Sequence, residues 1–310
     1  MEKTKKIITL ANPRGFCAGV KRAIATVKLA VKEYGPPIYV LHEIVHNRHV
    51  VKELEDLGVI FVDHLVDIPR RAICIFSAHG VSVDTEMRAK QLGLRTIDGT
   101  CPLVSSVHHM VERYHGDGYD VLIIGHHKHP EVEGTAGRVQ DHVYVVATEE
   151  EAEAIEVRDP DRVAYVTQTT LSQDDIAGIV DILQRRFPGI RGPKSNICYA
   201  TLNRQKAMRE LGKCCDMLLV VGSKNSSNSN RLREVGERAG MHGYLIDDES
   251  DIDRLWLQSA TRVCITAGAS APERLVQGVI AYLQDQGFEQ FEEMDGREEK
   301  ISFEPAKLEE

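Results

Sequence analysis

The 310-residue sequence has no apolar run approaching the ~18 residues that a membrane-spanning helix needs; its longer runs, such as Met217 to Val221, stop far short. Its amino-terminal stretch, MEKTKKIITL, lacks the apolar core and small-residue cleavage site of a signal peptide, so a cytoplasmic protein is expected. There is no CxxC pair, and the seven cysteines are odd in number, so no disulfide framework is expected. GxxxxGKS/T and GxGxxG are both missing, which leaves nucleotide and dinucleotide binding without a motif. No low-complexity or Pro/Gly-rich linker interrupts the chain. Lys and Arg total 38 against 47 Asp and Glu, a net charge of −9 that argues against broad nucleic-acid or membrane-surface binding.

What is present is a normal globular balance, 42% hydrophobic and 27% charged, at a length sufficient for two or three domains. Short apolar runs alternate with amphipathic stretches, the pattern of α/β folding with parallel sheets covered on both faces. The candidate strands are Ile7–Leu10, Ile38–Leu41, Val59–Val62, Ile73–Phe76, Thr96–Asp98, Val121–Ile124, Val143–Val146 and Ala164–Val166, a segment near Asn196–Ile197, and Met217–Val221, Tyr244–Ile246 and Val263–Thr266. Candidate helices include Val20–Glu33, His49–Leu57, Ser106–Tyr114, Asp174–Arg186, Arg204–Lys213 and Arg231–Ala239. The acidic stretch from Phe288 onward is expected to be an appendage with one short strand, Lys300–Phe303.

A positional repeat runs through this pattern. Cys17, Cys101 and Cys198 each stand where a strand hands over to a helix. Polar strand tips follow at His46, His129 and Ser226, 28 or 29 residues after the cysteine, and at His79, Thr169 and Ser270, 62 to 72 residues after it. Three similar α/β units are implied: 17–100, 101–197 and 198–285, with a tail at 286–310. Ligands bind beyond the carboxyl ends of parallel strands, so three such ends would form one central site holding three thiols. Cys74, Cys264, Cys214 and Cys215 adjoin or lie within apolar runs and read as small buried hydrophobes. Three converging thiolates could hold zinc or a [4Fe–4S] cluster with one open iron, or one of them could act as a nucleophile.

The tips carry their own chemistry. Ser223–Asn230 reads SKNSSNSN between a strand and a helix expected near Arg231, which suits an anion cradle, although an ordinary capped loop has the same ingredients. The small-residue turn at Thr266–Pro272 fits the same reading. His46, His79 and His129 suggest donors to a phosphate, with a His-based metal site as the competing reading. Glu131, expected on a loop of an anionic pocket, would hold its proton and could deliver it.

The segments ANPRGFCAGV, HEIVHN, FSAHGV, DGTCPLV, HPEVEGT, TQTTLS, ICYATLNRQ, VGSKNSSNSNRL and TAGASAP, in this order over nearly the whole chain, closely resemble the 4-hydroxy-3-methylbut-2-enyl diphosphate reductase (LytB-type) family. The resemblance implies three α/β units with mainly parallel four-stranded sheets, arranged pseudo-threefold around an oxygen-sensitive [4Fe–4S] cluster. Cys17, Cys101 and Cys198 would be its ligands. His46, His79, His129, Ser226, Ser227, Asn228 and Ser270 would bind the diphosphate. Glu131 would deliver a proton, and Thr169 would help hold the substrate hydroxyl. Residues 1–16 would pack with the third unit. The implied reaction is two-electron, two-proton removal of an allylic hydroxyl to give isopentenyl and dimethylallyl diphosphate, the last step of the methylerythritol phosphate route. With no flavin or nicotinamide motif, electrons would come from a partner such as ferredoxin or flavodoxin, and a monomer is expected. Leu202 departs from the family pattern, which has Thr there in many relatives.

Overall fold

The computed structural model describes residues 5–193, 196–296 and 299–308. Two compact units form. One gathers the chain up to Cys17, His46–Val50 and Tyr199–Ile301; the other holds Ala18–Val45, Val51–Cys198 and the residues from Ser302 onward.

In chain order the elements are β1 (Ile7–Leu10), α1 (Ala18–Tyr34), β2 (Ile38–Leu41), α2 (Arg48–Glu55), β3 (Val59–Val62), β4 (Ile73–Phe76), α3 (Val83–Gln91), β5 (Arg95–Asp98), α4 (Pro102–Gly116), β6 (Asp120–Ile124), α5 (Pro130–Ala136), β7 (Val143–Val146), α6 (Glu149–Ala154), β8 (Val163–Thr167), α7 (Gln173–Arg186), α8 (Tyr199–Leu211), β9 (Met217–Val221), α9 (Ser227–Arg238), β10 (His242–Ile246), β11 (Arg262–Ala267), α10 (Glu273–Asp285) and β12 (Gln290–Glu293). The sheets run β3-β2-β4-β5, β7-β6-β8 and β10-β9-β11-β1-β12. Every strand pairing in them is parallel. One three-strand motif therefore recurs: the first strand lies in the middle, the second on one side and the third on the other.

The apolar runs are continuous because both faces of each sheet are covered. In the five-stranded sheet, Ile8, Leu10, Leu219, Val221, Val263 and Ile265 pack on one face, and Leu218, Val220 and Cys264 pack on the other. In the three-stranded sheet, Leu122 and Ile124 face one cluster, whereas Val121 and Ile123 face the opposite one.

Four strands per sheet hold only for β3-β2-β4-β5. β1 and β5 fill the fourth place beside β11 and β4, directly upstream of Cys17 and Cys101. Among the described residues upstream of Cys198, that place holds one parallel bridge, Ala164 with Arg191. The segment Phe187–Pro193 contains two prolines, which cannot donate to a ladder. The side-chain Oδ1 of Asn196 accepts the Thr167 N–H at 3.0 Å instead. No strand forms at Asn196–Ile197; Lys194 and Ser195 of this stretch lie outside the described residues.

The five-stranded sheet gains β12, which pairs with β1 from Ile7–Gln290 to Leu10–Glu293. The tail strand is thus at Gln290–Glu293, and Lys300–Phe303 is not a strand. β12 is an exposed edge with a polar sequence, QFEE, of the kind that discourages further pairing. Glu293 pairs with Arg14 at 2.7 Å, and Glu292 pairs with Arg262.

Candidate active site

Each expected site residue lies just beyond the carboxyl end of a parallel strand or opens the next helix. Cys17, Cys101 and Cys198 immediately precede α1, α4 and α8. All three are half-buried. Their backbone amides are held alike: Cys17 N–H donates to Ala269 O at 3.1 Å, Cys101 N–H to Ala78 O at 3.0 Å, and Cys198 N–H to Thr169 O at 3.0 Å. Each acceptor is a second-tip residue or the residue before one (Ser270, His79, Thr169). The repeat found in the spacing is therefore also a repeat of hydrogen bonds.

The remaining cysteines divide differently from expectation. Cys74 and Cys264 are fully buried, and Cys215 nearly so. Burial pushes the Cys74 thiol up to about 12. Cys214, however, is exposed. It follows Lys213 at the end of the α8 turn, before the chain enters β9, so its run of apolar neighbours begins only after it. No cysteine forms a disulfide; all seven lie within the described residues.

His79, His129, Glu131, Thr169, Cys101 and Cys198 belong to one unit. Glu131 is 4% exposed and sits in the first turn of α5, not on a loop. Its Oε1 accepts the Thr169 N–H at 2.6 Å, and its Oε2 accepts the Thr169 hydroxyl at 3.0 Å. The His129 Nδ1 caps α5 by accepting the Glu131 N–H at 3.1 Å. A ring nitrogen that accepts carries no proton, so in the neutral ring the proton is on Nε2. The His79 ring meets that of His129 edge to face, with centroids 5.8 Å apart. Ser77 Oγ lies 3.1 Å from His79 Nδ1. Two imidazoles thus meet at the start of the helix whose first turn carries the carboxylate bound to Thr169.

His46, Ser226, Ser227, Asn228, Ser270 and Cys17 belong to the other unit. The helix after SKNS begins at Ser227 rather than near Arg231, because Ser226 Oγ accepts the Ser229 N–H at 3.3 Å and caps it. Ser227 and Asn228 therefore occupy the first helical turn, where anions are favoured. Asn228 is fixed from both ends of its amide. Its Oδ1 accepts the Ala269 N–H at 2.8 Å, and its Nδ2 stands 3.4 Å from Thr201 Oγ1. The Ser270 hydroxyl donates to His46 O at 2.9 Å, and Asn225 Nδ2 lies 3.5 Å from His46 Nδ1. Leu202, the departure from the family pattern, follows Thr201 in α8.

Several contacts escaped the sequence reading, one of them within the SKNSSNSN loop. Ser223 accepts the Arg48 N–H at 3.2 Å and donates to Asp247 at 2.6 Å, so that serine anchors the His46 segment. Gln168 accepts the His126 N–H at 3.0 Å and donates to Thr170 at 2.9 Å. Arg204 is 1% exposed and bonds Gly15 O. Gln168 and Arg204 lay inside the quoted motifs, but nothing in their type showed which backbone they would hold.

A parallel α/β motif used three times, with a half-buried thiol and hydroxyl, amide or imidazole groups at its strand ends, marks an α/β protein that carries its polar chemistry at the carboxyl ends of its sheets. The family described as LytB protein matches residues 8–284, and the chain belongs to that family. It is 62% identical over 308 residues to a 4-hydroxy-3-methylbut-2-enyl diphosphate reductase of Desulfotalea psychrophila, covering 99% of this chain and 98% of that one. To the Pseudomonas aeruginosa protein of the same name it is 54% identical, covering 96% of both. Among solved structures it resembles the E-1-hydroxy-2-methyl-but-2-enyl-4-diphosphate reductase of Plasmodium falciparum, with a TM-score of 0.93, 40% identity and coverage of 96% and 94%. A second, described as the terminal enzyme of the non-mevalonate pathway, gives 0.65 at 32% identity over 90% of this chain and 99% of that one. Among the described residues no helix is long and apolar enough to cross a membrane.

Proposed function

We propose that the protein reduces 4-hydroxy-3-methylbut-2-enyl diphosphate to isopentenyl and dimethylallyl diphosphate. The observation that carries this reading is the threefold recurrence of one cysteine turn, each with the same amide hydrogen bond, in a chain of the LytB family.

The donor set suits an iron–sulfur group. Three half-buried thiols stand at the first turn of three helices, where anionic ligands are stabilised. Among the described residues no three His, Cys, Asp or Glu side chains gather closely enough to hold a single ion. Cys17, Cys101 and Cys198 would hold a [4Fe–4S] cluster, which when bound supplies the electrons and a Lewis-acidic iron.

The other residues have separable tasks. His46, His79, His129, Ser226, Ser227, Asn228 and Ser270 bind the diphosphate through N–H and O–H donors and fix its orientation. Glu131 supplies the proton on which the hydroxyl leaves as water. Thr169, bonded to both carboxylate oxygens through its amide and hydroxyl, relays it and holds the substrate oxygen in line. An external one-electron donor, a ferredoxin or flavodoxin, supplies reducing equivalents to a cytoplasmic monomer.

Anaerobic purification with iron and sulfide analysis, followed by a viologen-driven assay on the hydroxylated diphosphate, tests the reading. About four irons and four sulfides per chain, with both isoprenoid diphosphates formed, are expected. Stoichiometric zinc without sulfide, or no turnover by an intact cluster, would overturn it.

A further inference from the structure

The turns in front of the three cysteines are gripped from outside, and the grips follow a rotation. Arg22, in α1, donates Nη1 to Thr100 O at 2.8 Å, and its Nη2 lies 3.4 Å from Asp98 O. Thr100 directly precedes Cys101. Arg204, in α8, donates Nη2 to Gly15 O at 2.8 Å, two residues before Cys17. Asn196, two residues before Cys198, donates Nδ2 to the thioether of Met110 in α4 at 3.3 Å. The helix after Cys17 thus holds the turn before Cys101. The helix after Cys101 holds the turn before Cys198, and the helix after Cys198 holds the turn before Cys17.

We infer that Arg22 and Arg204 are positioning residues that fix the Cys101 and Cys17 thiols for the metal centre, an inference that rests on the proposed cluster. A carbonyl bonded to a planar guanidinium fixes its peptide plane, and that plane sets the direction of the next Cα–Cβ bonds. Arg204 is the stronger clamp. It is almost wholly buried, also donates to Ala200 O at 2.8 Å, and is neutralised by Glu299 at 3.0 and 3.2 Å. Asn203 donates to the same carboxylate at 3.1 Å. Gly15, its target, has φ +66°, a conformation natural to glycine, and its own amide donates to Ala267 O at 3.0 Å. The turn is pinned from both sides. The third grip uses a neutral thioether, a weak acceptor, so the Cys198 turn has the weakest clamp.

This role is that of the outer-shell partners of metal ligands, whose loss typically costs about 10–100-fold in metal affinity. The test uses the full-length anaerobic holoprotein and follows the visible absorbance of the cluster while a chelator strips iron. Arg22→Gln and Glu299→Gln should lose iron about 10–100-fold faster than the wild type, with Met110→Leu affected less. Arg22→Lys, which keeps a donor, should recover part of the loss, whereas Arg22→Met, which keeps the apolar stem alone, should not; equal recovery by both would show a packing role. Arg185→Gln, which breaks the exposed pair with Glu153, should match the wild type. If Glu299→Gln does not fold, the half-exposed Arg22 still decides. Wild-type retention in Arg22→Gln, or equal loss in Arg185→Gln, would overturn the inference while leaving the cluster standing. A wild-type protein with neither iron nor sulfide would overturn the cluster reading and this one with it.

Discussion

Cys74 lies in one strand and Cys101 just beyond the neighbouring strand of the same sheet, and the two have opposite surroundings. Cys74 is inside β4, opposite Thr96 of β5, with no exposure. Cys101 lies three residues beyond the end of β5, half-buried, at the start of a helix. The same contrast separates two buried carboxylates. Asp120 accepts the Arg158 N–H at 2.5 Å and the Asp159 N–H at 3.2 Å, and pairs with Arg158 at 3.2 Å, so it closes a loop. Glu131 is as buried but spends both oxygens on Thr169 at a strand end. Inside a strand a polar side chain serves packing; just past the strand's carboxyl end the same chemistry is open to a ligand.

That contrast breaks first, and most visibly, at the cysteines. Cys101→Ser should abolish both cluster content and turnover, whereas Cys74→Ser should keep the cluster and lose about 1–3 kcal/mol of stability from a buried hydroxyl. Iron analysis beside urea unfolding reads both, and equal cluster content in the two variants refutes the sorting. Next, Glu131→Gln should cut kcat by about 10²–10⁴ with cluster and stability kept, while Asp120→Asn should lower stability and leave the cluster and kcat unchanged. Near-normal turnover in Glu131→Gln removes that residue from the proton path.

His108 sharpens the comparison for imidazoles. Unlike His79 and His129 it is buried in α4, and burial holds its pKa down to about 4, below the usual 6.5. The unfolded chain therefore takes up this proton first. The stability involved is fully present above pH 6.5 and is lost as pH falls toward 4. It amounts to about 3 kcal/mol. Urea unfolding between pH 7 and 4.5 should show this loss, and His108→Gln should remove about one proton from the slope. An unchanged slope would show that other groups set the acid limit. The smallest effect is expected at Asn228→Ala, about a tenfold rise in KM with kcat retained. A fall in kcat alone would move Asn228 out of diphosphate binding.

Much of this was legible in the sequence because strands covered on both faces read as unbroken apolar runs. ICIF, VLII and MLLVV need no partner to be recognised. The cysteines were sorted by their neighbours, Gly and Pro against Ile and Phe. What failed depended on remote partners. β12 has no apolar signal and exists because β1 offers an edge. The strand near Asn196 is replaced by one side-chain hydrogen bond to Thr167. The direct bond between Glu131 and Thr169 spans 38 residues, so the sequence could give the two roles but not their contact. Cys214 was misread because a cysteine beside an apolar run need not share its burial.

The pairing of β1 with β11, Ile7 opposite Arg262, sets a timetable for synthesis. The strand leading to Cys17 has no neighbour until more than 250 residues have followed it. At about 5–20 residues per second the ribosome leaves that segment waiting for tens of seconds. The Cys17 turn is thus fixed only after β11 has been made, and the proposed cluster would be assembled only after that point.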